Sequence, residues 1–313
     1  MNNKVVVLGG GTGLSVLLSG LKKFPLDITA IVSVSDNGSS TGKLREEFNT
    51  PAVGDIRRVL ISLSETEPLV EKLFNYRFHT TSDLNGHTVG NLILTATKEI
   101  TGNLSDGIEA LSKVFNLKGR VVPLTEDNVT LMAKMTDGSI VKGETEITAS
   151  DKKIKKVFYE ETPIITPLAI KEIREANIIV LSMGSIYTSI IPNLINKEII
   201  DAIDNSNAKV MYVCNMMTQP GETDGFSVSD HVKLLNSYLG NKKIDKVLVN
   251  NKLIDKMILD KYQNEEQKDL VKIDYDNLKD VTLIEDDYFI VENSRIRHDA
   301  LKLAFSIFSE IFK

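Results

Sequence analysis

A single cysteine, Cys214, and no tryptophan are found in a chain of 313 residues. One thiol can form neither an intramolecular disulfide nor a thiolate metal cluster, so the fold is not held by either, and a reducing compartment fits. Excess positive charge is also missing: 37 Lys and Arg stand against 43 Asp and Glu, a net charge of -6. A general nucleic-acid or membrane-surface binder needs a positive field, so neither function is expected of the surface as a whole. A local basic pocket for phosphate remains open. Long apolar runs are lacking too. The opening run ends in glycine too soon for a signal-peptide core or a membrane span, and the stretch from 177 to 200 is broken by Gly184, Pro192, Asn193 and Asn196. A cytoplasmic protein without a membrane span is expected. The sequence carries no internal repeat and no low-complexity tract.

What is present is an alternation of short β-branched runs and helix-period segments. Residues 4–8 and 28–34 flank an apolar helix pattern from Leu14 to Leu21, which predicts a right-handed β-α-β unit. Residues 178–181, 209–213 and 246–249 read as further buried strands, with helices predicted over 188–204, 229–239 and 252–262. This order predicts an α/β fold: a Rossmann-like, doubly wound, mainly parallel sheet. The region of about 120–160 breaks the rhythm. There 129–135, the Asp137-Gly138 turn and Ile140-Val141 predict a hairpin, and Ile147 and 154–158 suggest more strands. It reads as an antiparallel β insertion. No Pro- or Ser-rich linker flanks it, so residues 1–313 are taken as a single domain. Residues 296–312 carry an apolar stripe suited to packing on the sheet. The segment 242–287, rich in both charge signs, reads mostly as solvated surface.

The chemistry-bearing residues lie where these strands end. Gly9, Gly10, Gly11, Thr12 and Gly13 separate the first strand from the first helix. Glycine lets main-chain N–H groups approach an anion, and a helix N-terminus adds partial positive charge. Four glycines in this stretch exceed the need of a tight turn. The third glycine of the dinucleotide fingerprint would fall on Leu14, and no Gly-Lys-Ser/Thr follows, so neither that motif nor a Walker A loop is present. The second strand ends in Ser35, Asp36, Asn37, Gly38, Ser39 and Ser40, followed by Lys43 and Arg45. An acid there can hold a ribose hydroxyl, as in NAD enzymes; the hydroxyls and bases after it suggest a second anion or substrate cradle. Asp55 suits a helix N-cap, a Mg²⁺ or a sugar hydroxyl, and Arg57 or Arg58 can reach a phosphate.

Glycines also flank His87 and Asn91 at a helix start, where glycine costs about 1 kcal/mol against alanine. His87 serves as a base, a donor or a packed surface residue; with no second histidine at metal-ligand spacing, no metal site is assigned. Gly184 and Ser185 follow another buried strand, and Asn215 and Thr218 follow the next, in stretches dense in amides and hydroxyls. No Gly-x-Ser-x-Gly elbow marks a serine nucleophile.

These motifs together resemble the YvcK/CofD-like family, closest to its YvcK branch of gluconeogenesis factors. The resemblance is carried by GGGTGLSVLLSGLK from Gly9, SVSDNGSSTGKLR from Ser33, PAVGDIRR from Pro51, LFNYRF from Leu73 and LNGHTVGNLIL from Leu84. It continues in GSIYTSIIPNLI from Gly184, VCNMMTQPGETDGFSVSDHV from Val213 and RHD from Arg297. It implies a Rossmann-like fold and a UDP-sugar ligand, UDP-N-acetylglucosamine, in a regulatory protein that supports cell-wall synthesis and cell shape during gluconeogenic growth. It also implies Thr12, Tyr262 and Arg297 as ligand contacts. Tyr262 can stack on uracil, and Arg297 can fork onto a diphosphate. A protein partner in cell-wall synthesis or signalling, and a homodimer, are compatible with it. The chain departs from its relatives at Ser182-Met183-Gly184-Ser185, where they have Gly-Pro-Gly-Ser, and at Asn37, where they have a second Asp.

Two enzymatic readings compete. A phospholactyl transferase would need Mg²⁺ on a diphosphate, for which Asp36 and Asp55 are the candidates, and no general base is evident. An NAD(P)-dependent oxidoreductase is opposed by the missing third glycine.

Overall fold

The computed structural model describes residues 3–292 and 295–313. In chain order the strands are β1 (Lys4–Gly9), β2 (Asp27–Val32), β3 (Arg120–Pro123), β4 (Leu131–Met135), β5 (Ile140–Lys142), β6 (Ile154–Tyr159), β7 (Ile178–Leu181), β8 (Lys209–Val213), β9 (Lys246–Asn250), β10 (Thr282–Asp286), β11 (Phe289–Glu292) and β12 (Arg295–His298). Helix α1 (Gly11–Leu21) joins β1 to β2. Helices α2 (Ser39–Phe48), α3 (Gly54–Leu63), α4 (Pro68–Asn75), α5 (Val89–Thr101) and α6 (Leu104–Val114) fill the long passage from β2 to β3. Next come α7 (Glu144–Ala149), α8 (Pro167–Arg174), α9 (Lys197–Asp204), α10 (Val228–Tyr238), α11 (Lys256–Glu266) and α12 (Ala300–Glu310).

The main sheet has the order β10-β9-β8-β7-β1-β2-β3, and every neighbouring pair in it is parallel. The expected α/β doubly wound sheet is therefore present. The chain winds outward from β1 through β2 and β3, then returns to the other side of β1 at β7. In such sheets ligands bind outside the carboxyl ends of the strands where the winding reverses, here between β1 and β7. Val5 to Leu8 and Ile178 to Leu181 are buried throughout, as strands covered on both faces must be. Helix α1 buries Leu14, Leu17, Leu18 and Leu21, and α12 lies against it through Leu303, Ala304 and Ile307. The apolar stripe expected to pack on the sheet packs on α1 instead.

Four expectations need correction. Residues 120–123 belong to the main sheet as β3 beside β2, so the antiparallel insertion is the separate sheet β5-β4-β6. Ile147 is not on a strand: it is the buried residue of α7, whose first turn carries Glu144 and Glu146, a favourable charge for a helix N-terminus. Residues 188–204 do not form one helix. A π turn (Ile186–Ile190) runs into a 3-10 turn (Ile191–Leu194), and α9 begins afresh after Asn196, whose side chain accepts the Glu198 N–H. Pro192 supplies no N–H to a continuous α-helix. The segment 242–287, read mostly as surface, also contains β10 at the sheet edge, paired with β9.

Candidate functional site

A cleft of about 730 Å³ opens at the switch point, walled by the loops after β1, β7 and β8 and by residues of α11 and β12. On the first wall Gly11 has φ 66, a conformation suited to glycine, and opens α1. Its N–H donates to Asp55 Oδ2 at 2.6 Å. The N–H groups of Thr12 and Gly13 have no partner among the described residues and lie on the cleft. These are orphan donors of a helix start, the kind that bind anions. The glycine count itself has an internal cause. A Cβ on Gly13 would lie 2.0 Å from Met183 O, and one on Gly10 would lie 2.8 Å from Asp55 Oδ2. Glycine lets the β7 loop and the Asp55 carboxylate close on the turn, so the free donors carry the argument for an anion.

The second wall is braced from within. Gly184 N–H donates to Asn215 Oδ1 at 3.0 Å, and Asn215 Nδ2 returns a bond to Gly184 O at 2.7 Å. Ser185 Oγ donates to Glu222 Oε2 at 2.6 Å and accepts the Thr188 N–H at 3.1 Å. Gln219 Nε2 donates to Glu222 Oε1 at 2.7 Å, so one buried carboxylate joins the loops after β7 and β8. Burial pushes the Glu222 carboxyl up, while bonds from Ser185 and the Tyr187 main chain oppose the shift. Thr218 exchanges two bonds with the Asp269 main chain, through its N–H at 2.7 Å and its Oγ1 at 2.9 Å.

The far wall holds the aromatic ring and the positive charge. Tyr262 is buried with Met216, Ile254 and Ile296, and its hydroxyl accepts the Ile296 N–H at 2.8 Å. That bond seats β12, whose alternation places Arg295 and Arg297 on one side of the strand. Both arginines are exposed and line the cleft, with no salt bridge among the described residues. Lys268 lines it too, bridged to Glu266 at 2.7 Å. His298 lies 3.3 Å from Cys214 O, and burial holds its imidazole down at about 4, which keeps it uncharged near neutrality.

Gly10, Gly11, Thr12, Gly13, Gly184, Ser185, Asn215, Thr218, Tyr262 and Arg297 thus line one cleft; Asp36, Asn37, Ser39, Asp55, His87 and Asn91 do not. Asp55 is no N-cap: it is the second residue of α3, and besides Gly11 it binds Arg58 at 2.7 Å. Burial raises its carboxyl pKa, with Arg58 opposing and Asp36 adding to the rise. Arg57 donates to Asn75, so neither arginine turns to the cleft. Asp36 accepts the Gly38 N–H at 2.8 Å. Asn37 Oδ1 accepts from Thr145 N–H at 2.9 Å and Thr145 Oγ1 at 3.0 Å, while its Nδ2 donates to Glu146 at 2.9 Å, which moors α7. Ser39 is exposed, with φ 47. His87 is buried rather than on the surface, 3.1 Å from Ser40 Oγ, to which Asn91 Nδ2 donates at 3.2 Å. This trio fastens α2 to α5. The glycine at 90 is needed because a Cβ would meet Arg57 Cδ and Phe74 O at 2.7 Å.

Sequence reasoning missed Lys268, Arg295, Glu222 and Glu144. The Arg-Ile-Arg spacing at 295–297 signalled Arg295; Glu222 and Glu144 depend on partners far along the chain, and no motif around Lys268 marks it. Glu144 is half-buried on α7, and its carboxyl is pushed up to about 8 by burial first, then by Asp36 and Asp55, against a bond from Thr188. Among the described residues no three acids, histidines or cysteines are placed to hold a metal ion by themselves.

The chain thus has a Rossmann-like fold, with a glycine turn at the switch point of a parallel sheet and free helix-start donors facing arginines, an arrangement suited to an anion. The chain belongs to the CofD family: a family model described as 2-phospho-L-lactate transferase CofD matches residues 5–289. It is similar to the gluconeogenesis factor of Bacillus subtilis, 47% identical over 304 residues that cover 96% of each chain. The gluconeogenesis factor of Halalkalibacterium halodurans is 45% identical over 308 residues, 97% of this chain and 95% of that one. A crystal structure of a Bacillus halodurans protein superposes with a TM-score of 0.95 at 43% identity, covering 98% of this chain and 100% of the other. Among the described residues no helix is long and apolar enough to cross a membrane.

Proposed function

We propose that the cleft binds a nucleotide diphosphate sugar, UDP-N-acetylglucosamine, and that the protein is a cytoplasmic regulator of cell-wall synthesis and cell shape in gluconeogenic growth. The observation that carries the reading is the meeting of Thr12, Tyr262 and Arg297 in one cleft, although they lie far apart in the chain. The Thr12 and Gly13 N–H groups and the arginines offer donors to a diphosphate from opposite walls, and Tyr262 offers an aromatic surface to a base. A volume of about 730 Å³ lies within the usual span for small-molecule sites. The name shared by the relatives supports the gluconeogenic role. Calorimetry and thermal shift with UDP-N-acetylglucosamine test the reading: at a hundredfold excess over Kd, stability rises by about 2.7 kcal/mol. A shift with NAD(P) alone rejects it.

A second reading is transfer chemistry on a diphosphate donor. It is favoured by the carboxylates of Asp36, Asp55 and Glu144, whose charges influence one another behind the glycine turn, and by the transferase description of the family model. Mg²⁺ carried in on the diphosphate would neutralise charge on the phosphates; Asp36 and Asp55, which do not line the cleft, would favour it by their negative charge behind the turn and not as ligands. Turnover of a phospholactyl or UDP-sugar donor, measured with and without Mg²⁺, decides for this reading.

A further inference from the structure

The inserted sheet β5-β4-β6 has one face in the core and one in solvent. Leu131, Ala133, Met135, Val157 and Tyr159 fill the inner face. The register sets two rows on the outer face: Lys142, Met132 and Phe158, then Ile140, Lys134 and Lys156. Ile140 is 58% exposed, while Met132 and Phe158 are half-buried. Lys142 is bridged to Glu160, but Lys134 and Lys156 have no acidic partner among the described residues, although they stand directly opposite each other on paired strands. Like charges in that position destabilise a sheet. Lysine on an exposed edge strand guards against aggregation, which accounts for Lys156 on β6. It does not account for Lys134, because β4 is the central strand.

We propose that this face is a docking surface for an acidic segment of a partner protein, one that sets carboxylates on Lys134 and Lys156 and apolar side chains on Ile140, Met132 and Phe158. Charge complementarity selects this occupant. The face is basic on a chain of net charge -6, it interleaves apolar groups that a phosphate backbone would leave uncovered, and its cations are lysines rather than the arginines suited to forked phosphate contacts. The inner layer of the same insertion reaches the candidate cleft. Helix α7 packs on β4 and β5, Asn37 grips its Thr145 and Glu146, and its Thr148 lines the cleft. The docking claim goes beyond the ligand reading and does not depend on it.

Fluorescence anisotropy on the full chain tests it, with a labelled dodecapeptide that alternates glutamate with leucine and phenylalanine. The expected result is salt-sensitive binding, weakened at least about tenfold by K134E/K156E and less by K134Q/K156Q, with UDP-N-acetylglucosamine affinity unchanged in both variants and a melting temperature that K134E/K156E leaves near wild type and K134Q/K156Q, relieved of the like-charge pair, does not lower. Equal binding by wild type and K134E/K156E, or no binding by the wild type, overturns the proposal. So does tighter binding of a twelve-nucleotide oligothymidylate than of the peptide. Wild-type protein that binds the peptide but not the UDP-sugar overturns the ligand reading alone.

Discussion

Two regions of this molecule are written in nearly the same residues and do different work. The turn after β1 and the stretch from Leu84 to Asn91 both set glycines beside hydroxyl or amide side chains at a helix start. In the second, His87 and Asn91 engage Ser40, and the glycine at 90 makes room for Phe74 and Arg57. In the first, glycine also makes room for the chain itself, but two helix-start donors are left over and face a cleft. Polar, glycine-rich composition therefore marks close packing in both places. A ligand is indicated only where donors remain after the chain has satisfied its own needs.

That contrast can be broken by substitution. The largest effect is expected from Gly13→Ala, whose Cβ would meet Met183 O at 2.0 Å. It should cost about 1–3 kcal/mol of stability by overpacking and abolish UDP-sugar binding as well; calorimetry and thermal denaturation read both. Arg297→Ala should leave stability nearly unchanged because the side chain is exposed, yet lose about 1.5–3 kcal/mol of affinity, roughly ten- to a hundredfold. A titration with unaltered affinity would remove Arg297 from the site. Asn91→Ala is the mirror image: about 1–2 kcal/mol of stability lost, seen as a lower denaturation midpoint, with affinity kept. If affinity fell as well, the two regions would not be separate. The smallest effect concerns pH. With its folded carboxyl pushed up to about 8 from 4.5, Glu144 binds more proton in the folded than in the unfolded state between those values, so its contribution to stability falls as pH rises through that window. Glu144→Gln should flatten the decline in denaturant-measured stability between pH 5 and 8, by less than about 1 kcal/mol per pH unit because the side chain is only half-buried.

The centre of the fold was legible because burial on both faces leaves an unmistakable run of β-branched residues, as in β1, β2 and β7. The edge was not. β10 is half-exposed and charged, and a run such as Thr282 to Asp286 lacks the apolar content that marks a strand. The residues after β7 kept a helical spacing of apolar groups, so Pro192 and Asn196 split them without disturbing the pattern. For the site, Thr12 was legible from its place after a strand, whereas Tyr262 and Arg297 came through family resemblance. Glu222 and Glu144 escaped notice since their surroundings are assembled from loops far away in the chain. His87 was misjudged for the same reason: its burial is decided by α2 and α5 together.

The interlocking of the β1 and β7 turns has a consequence for how the molecule comes into being. Asn193 reaches back to Gly9 O at 3.2 Å across 184 positions of sequence, and the cleft draws its last wall from β12. Contacts so distant are slow to form, since a long loop must close before they repay its entropy. A ribosome that has released only the first two-thirds of the polypeptide has made the glycine turn but not the cleft, whose last wall is supplied only near the end of translation.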